Sequence, residues 1–143
     1  MSEEIVKEVL AKYRTVAVVG LSRDPSKPSY YVPEYLKEHG FRVIPVNPFV
    51  DEILGEKSYK SLLDIPVEAQ KTVEIVQIFR PSGDVRSIVE QTVQLKRKHA
   101  VLFVVWMQLG IVSEQAAEIA RSAGLLVVMD RCMMMEHERL FGG

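Results

Sequence analysis

Five short apolar runs limit what this chain can fold into. They are TVAVV (15–19), RVIPV (42–46), VEIVQIF (73–79), AVLFVVW (100–106) and LLVVM (125–129). All are rich in Val, Ile or Phe, and most are near-continuous rather than alternating. A strand with one wet face alternates apolar and polar residues. A continuous run has both faces covered, as in a parallel sheet between two helical layers. Only VEIVQIF breaks the pattern, at Glu74 and Gln77.

Helical patterns fill the gaps. SEEIVKEVLAKY sets Ile5, Val6, Val9 and Leu10 on one stripe behind a cap at Ser2. Residues 31–39 read as a helix stopped by Gly40, with Pro33 in its first turn, where a missing N–H costs nothing. Residues 82–98 carry Val85, Ile88, Val89, Thr92, Val93 and Leu95 on one face. Residues 113–123 are alanine-rich, capped by Ser113 and ended by Gly124. Residues 61–65 suggest a short helix, and the residues after the fifth run read as a tail. Strands alternating with helices call for right-handed crossovers. The expectation is an α/β fold: a single Rossmann-like, doubly wound parallel sheet of five strands, order 3-2-1-4-5, with helices on both faces. One domain, residues 1–143, accounts for the length, and such a chain buries a core without disulfides or metals.

The net charge of −1 gives no basic face for nucleic acid or an anionic membrane. The longest apolar run, AVLFVVWM, is far too short to span a bilayer. The start of the chain is acidic and lacks the apolar stretch of a signal peptide. A single cysteine, Cys132, excludes a disulfide within the chain. A reducing cytoplasm is the expected setting.

In an open parallel sheet the ligand lies beyond the carboxyl ends of the strands, where the strand order reverses. For order 3-2-1-4-5 that is between the first and fourth strands. The loop after the first strand is GLSRDPSKPSY. Gly20 permits a sharp turn, Ser22, Ser26 and Ser29 offer hydroxyls, and Arg23 and Lys27 are cationic. The next helix starts near Ser29, so its unpaired N–H groups face the loop, an arrangement suited to phosphate. The loop is neither GxGxxG nor a Walker motif. A standard NAD site also needs an acidic residue at the end of the second strand. This chain has Asn47 there, then Pro48. The third loop brings Phe79 and Arg80, the fourth Gln108 and Gly110, the fifth Asp130, Arg131 and Cys132. Ser82 is read as a helix cap and Trp106 as core. Met133, Met134 and Met135 are read as packing, because thioethers alone suit only soft ions.

Taken in order, VAVVGLSRDPSKPSYYVPEYLKEHGFRVIPVNP, EILGEKSYKSLLDIP, FRPSGDV, WMQLGIVSEQAAEIARSAGLLVVMDRC and MEHERL resemble the small stand-alone CoA-binding proteins. Their domain is similar to the N-terminal CoA-binding domain of the succinyl-CoA synthetase alpha subunit. The resemblance implies coenzyme A or an acyl-CoA as ligand. By position, Gly20, Leu21, Ser22, Arg23, Lys27, Ser29 and Tyr30 would hold the phosphates. Asn47, Pro48 and Phe49 would border the nucleotide. Phe79, Arg80 and Pro81 would line the way to pantetheine, with Gln108, Gly110 and Cys132 at its inner end. The several negative charges of CoA suit Arg23, Lys27, Arg80 and Lys57, and an Asp at Asn47 would repel the ribose phosphate.

No segment matches the one that carries the synthetase's phosphorylated histidine, so ligase activity from this chain alone is not expected, and no catalytic residue is assigned. The expected role is a cytoplasmic CoA-binding module. The alternatives from other classes are an NAD(P)-dependent oxidoreductase and a thiol-redox protein that forms a mixed disulfide with CoA through Cys132. The sheet edge and the Met-rich tail are the surfaces through which a second copy or a partner protein would attach.

Overall fold

The computed structural model describes residues 3–142. Ser2, expected as the first helix cap, lies outside the described residues. The helices are α1 (Glu3–Lys12), α2 (Pro28–Glu38), α3 (Val67–Gln70), α4 (Val85–His99), α5 (Glu114–Ser122) and α6 (Met133–Phe141). The strands are β1 (Thr15–Val19), β2 (Arg42–Val46), β3 (Glu52–Ile53), β4 (Glu56–Lys57), β5 (Ile75–Ile78), β6 (Val104–Met107) and β7 (Leu126–Val128). β3 and β4 form a small antiparallel hairpin that the apolar runs did not reveal.

The other five strands form one parallel sheet in the order β2-β1-β5-β6-β7. In terms of the five apolar runs this is 2-1-3-4-5, which corrects the expected 3-2-1-4-5. The third run lies beside the first, with Val16 opposite Ile75 and Val19 opposite Ile78. Pro45 supplies the physical reason. Its carbonyl accepts from Tyr59 N–H at 3.1 Å, so the residue faces away from β1. A proline there has no N–H to offer an outer neighbour, which suits an edge strand and not an interior one. The outer edge of β2 is instead covered by the chain at Tyr59, whose carbonyl accepts from Asn47 N–H at 2.8 Å. The order therefore reverses between β1 and β5, and the switch point moves there.

Continuous apolar strands bury both faces, as their composition demands. Val16, Val18, Ile75, Val104, Trp106 and Val128 pack with Val6, Val9 and Leu10 of α1, Val32 and Leu36 of α2, and Met133 of α6. Ala17, Val19, Val76, Ile78, Val105 and Met107 pack with Val85, Val89 and Val93 of α4 and Ala116, Ala117 and Ala120 of α5. Glu74 interrupts its run because its carboxylate accepts the N–H groups of Arg14 (2.9 Å) and Thr15 (3.1 Å) at the start of β1. Ser113 caps α5 as expected, its hydroxyl accepting from Ala116 N–H at 3.2 Å. Residues 61–65 hold a single 3-10 turn (Leu62–Asp64), followed by the one-turn α3.

Two expectations about helices change. The Met-rich tail is helix α6, with Met133 wholly buried. Helix α2 starts at Pro28, so Pro33 lies in its interior rather than its first turn. Pro33 cannot donate to the carbonyl of Ser29, and that carbonyl accepts from Ser22 N–H at 2.9 Å instead. The second proline thereby leaves an acceptor that pins the loop before α2 to the helix.

Candidate functional site

At the switch point, the carboxyl ends of β1 and β5 open into a cleft of about 600 Å³. Gly20 forms its floor. It has φ +90°, and a Cβ there would lie 3.1 Å from the Phe79 carbonyl oxygen and 3.1 Å from Arg80 Cδ. Only glycine allows β1 to turn this close to the end of β5. Gly20 N–H donates to Val46 O at 2.9 Å, which joins the turn to β2.

The loop after Gly20 is organised from within. Ser22 Oγ accepts from Asp24 N–H at 3.0 Å, and Asp24 Oδ1 accepts from the Ser26 N–H (3.0 Å) and hydroxyl (2.8 Å). These two bonds hold the Asp24 carboxyl below its ordinary range, so the loop keeps its ionised acid. Asn47 clasps the neighbouring loop. Its Nδ2 donates to Leu21 O at 2.9 Å, and its Oδ1 accepts from Phe49 N–H at 2.8 Å. An aspartate could accept but not donate, so it would lose the bond to Leu21.

The structure gathers Gly20, Ser22, Lys27, Ser29, Asn47, Pro48, Phe49, Phe79 and Arg80 around this one cleft. Phe49 is 89% exposed at its rim. The cleft adds Lys60 and Ser61 from the segment beyond the hairpin, and Ser87, Ile88 and Gln91 from α4, which sequence reasoning missed. Lys27 and Lys60 take part in none of the ion pairs among the described residues. Arg80 is held by Asp84 at 2.9 Å, and Asp84 is the sole carboxylate among the described residues on the cleft wall. The excess is positive, with hydroxyls around it.

A second cleft of about 360 Å³ continues from the first and shares Lys27, Ser29 and Phe79 with it. Its walls are mainly apolar: Pro28, Tyr31 and Val32 of α2, Leu109 and Ile111 after β6, and Met134 and Met135 of α6. Gln108 and Cys132 also line it. Gln108 is 4% exposed. Its Oε1 accepts from Gln77 Nε2 (3.2 Å) and from Met133 N–H (3.2 Å), which fixes α6 on the sheet. A third, open cleft of about 450 Å³ adjoins the second, sharing Leu109, Cys132 and Met135.

Other anticipated residues lie elsewhere. The Leu21 side chain is fully buried in the core, and Tyr30 packs against the same cluster. Arg23 and Pro81 are exposed and line none of these clefts. Gly110 lies outside them too, its N–H donating to Asp130 Oδ1 at 2.7 Å. Lys57 Nζ sits 5.8 Å from the centre of the Tyr59 ring. Helix α2 offers fewer donors than expected. Pro28 has none and Tyr30 N–H donates to Lys27 O, which leaves the Ser29 N–H without a partner among the described residues. Ser82 Oγ accepts from Val112 N–H at 3.1 Å rather than capping α4. Arg131 pairs with Glu136 of α6 at 2.6 Å.

Fold and clefts together define a class: a Rossmann-like α/β domain with clefts at the carboxyl edge of a parallel sheet. Residues 14–138 match the CoA binding domain family, and the chain belongs to that family. It is 34% identical over 136 residues to the protein YneT of Bacillus subtilis, covering 95% of this chain and 94% of that one. A solved structure of a protein from Pyrococcus horikoshii OT3 has a TM-score of 0.89 at 39% identity, covering 99% of this chain and 94% of the other. The acetate–CoA ligase (ADP-forming) II of Archaeoglobus fulgidus is 38% identical over 91 residues, 62% of this chain and 13% of that enzyme. This chain thus spans a small part of the ligase's length. Among the described residues, no helix is long and apolar enough to cross a membrane.

Proposed function

We propose that this chain binds coenzyme A or an acyl-CoA and serves as a CoA-holding module. The observation that carries the reading is the cleft of about 600 Å³ at the switch point, with Lys27 and Lys60 on its wall in no ion pair among the described residues and Asn47 where an NAD site has an acid. A diphosphate and a ribose phosphate suit such a wall, since cations and serine hydroxyls meet phosphate oxygens through charge-assisted hydrogen bonds. The smaller, mainly apolar cleft beyond Phe79 suits the polarity of a pantetheine arm. Membership of the CoA binding domain family supports the same ligand. The histidines serve the fold in this reading. His39 Nδ1 bonds Tyr35 O at 2.7 Å, His99 Nε2 bonds Gln70 Oε1 at 2.9 Å, and His137 Nδ1 bonds Tyr35 Oη at 2.8 Å.

Thermal denaturation with CoA, acetyl-CoA, NAD, NADP or ATP tests the proposal. A ligand at a hundred times its dissociation constant adds about 2.7 kcal/mol of stability. For a chain of this size that raises Tm by several degrees. We expect the rise with CoA or acetyl-CoA and its loss in the double variant Lys27→Ala/Lys60→Ala. A rise with NAD or NADP and none with CoA or acetyl-CoA would overturn the reading.

A further inference from the structure

We propose that Cys132 is a thiol–disulfide exchange site that takes up CoA from its disulfide, forming a Cys132–S–S–CoA adduct. The inference rests on the CoA reading and adds a covalent step to it. The three clefts run in series: the cationic one, the apolar one sharing Lys27, Ser29 and Phe79 with it, and the open one beyond. CoA laid along them, nucleotide first, ends in a sulfur. Cys132 lines both the second and third clefts, at the junction where that sulfur would arrive.

A second observation points to a ligand at this place. Gln108 is 4% exposed and lines the apolar cleft, and its Oε1 takes two hydrogen bonds, yet its Nε2 donates to no atom among the described residues. Gln77 Oε1 is the buried side-chain atom without a partner among the described residues, so the Gln108 amide N–H keeps access to the cleft it lines. The pantetheine arm carries amide carbonyls that would accept from it. Cys132 is also the N-cap of α6, and its side chain makes no capping hydrogen bond. Met133 N–H is taken by Gln108, while the N–H groups of Met134 and Met135 have no partner among the described residues. Donors at a helix start stabilise negative charge placed beside them.

The exchange balances without an outside oxidant other than the disulfide itself. Cys132 loses its proton to solvent, and its thiolate attacks one sulfur of the CoA disulfide. The new S–S bond joins Cys132 to CoA, the old one breaks, and the departing CoA thiolate takes up a proton. The third cleft opens to solvent and gives the departing thiol a way out. Excess thiol entering by that route reverses the step.

The test tracks the intact mass of the reduced, folded protein with CoA disulfide, oxidised glutathione or cystamine. Because the chain has one cysteine, the informative quantity is the rate ratio, not the site. We expect CoA disulfide to react at least about tenfold faster than the other two, since binding along the clefts presents its sulfur. A CoA analogue lacking the sulfur should remove that advantage. Equal rates for all three disulfides, or no adduct with the folded protein, would overturn the inference. Thermal denaturation of Cys132→Ser with CoA separates the two failures. Stabilisation there, without selective exchange in the parent, would leave the CoA reading standing and remove the covalent step. No stabilisation in either protein would remove both.

Discussion

The two clefts that meet at Phe79 are built on different terms. The free cations of the first cleft are groups that the fold barely uses: Lys27 and Lys60 are exposed and outside every ion pair among the described residues. The apolar cleft is walled by groups the fold depends on. Gln108 is buried and hydrogen-bonded to two elements, Cys132 is the N-cap of α6, and the methionines lie in that helix, which packs on one face of the sheet. Surface cations can therefore change ligand affinity with little effect on stability, whereas the apolar end couples ligand contact to folding. Replacing its residues should disturb both together.

The largest effect is expected at the floor of the cationic cleft. Gly20→Val places a Cβ 3.1 Å from the Phe79 carbonyl oxygen on a backbone at φ +90°. A β-branched residue is strained there whatever rotamer it takes. We expect a loss of about 3 kcal/mol in urea denaturation, together with loss of the CoA-induced rise in Tm. Parent-like stability would show that β1 and β5 can separate without cost, and Gly20 would no longer explain the floor of the cationic cleft.

Gly20 was legible in the sequence because a glycine directly after an apolar run, opening a polar loop, is local information. So were the five strands, since continuous apolar runs signal burial on both faces without any knowledge of neighbours. Strand order was not read correctly, although a signal was present: Pro45 marks β2 as an edge strand. Lys60, Ser61 and Ser87 reach the cleft through chain folding that no local pattern encodes, one pair by way of the β3–β4 hairpin and the other by the direction of α4. Leu21 and Arg23 show the converse. They sit in the right loop, but one turns into the core and the other into solvent, since loop geometry rather than position sets side-chain direction. Helix α6 was missed although its buried residues, Met133 and His137, stand four apart, at helical spacing.

A smaller effect separates the clefts directly. Gln108→Leu keeps the apolar wall but removes the acceptor for Gln77 Nε2 and Met133 N–H. Gln77 is wholly buried and its Oε1 already lacks a partner. Orphaning its other end should cost about 2 kcal/mol. Urea denaturation should record that loss, while the affinity for a 3′-phosphorylated ADP fragment, which reaches only the cationic cleft, stays at the parent value. Equal weakening of the fragment would mean that the clefts are one mechanical unit.

The smallest effect concerns α6 and its seat on α2. His137 lies in α6 and is 9% exposed. From α2, Tyr35 and His39 face it, from the segment before β2 comes Phe41, from the start of β1 Arg14, and from α6 itself Glu138 and Phe141. Burial first, then the nearby His39 and Arg14, hold its pKa below the ordinary value, and Glu138 opposes them. A lowered folded-state pKa means that the unfolded chain binds the proton more readily. The contribution is complete above the unfolded value of about 6.5 and is lost as pH falls from there through the folded value. We expect Tm to decline over that interval and His137→Phe to flatten the decline. Because Cys132 caps α6 and Met134 and Met135 lie in it, the same acidification should slow disulfide exchange at the apolar end more than it weakens the ADP fragment at the cationic end. Thiol–disulfide exchange proceeds through a thiolate, so the rate at each pH is expressed relative to that of a small-molecule thiol. An unchanged ratio of the two readouts across the interval would place the His137 cluster outside the coupling between helix seat and cleft.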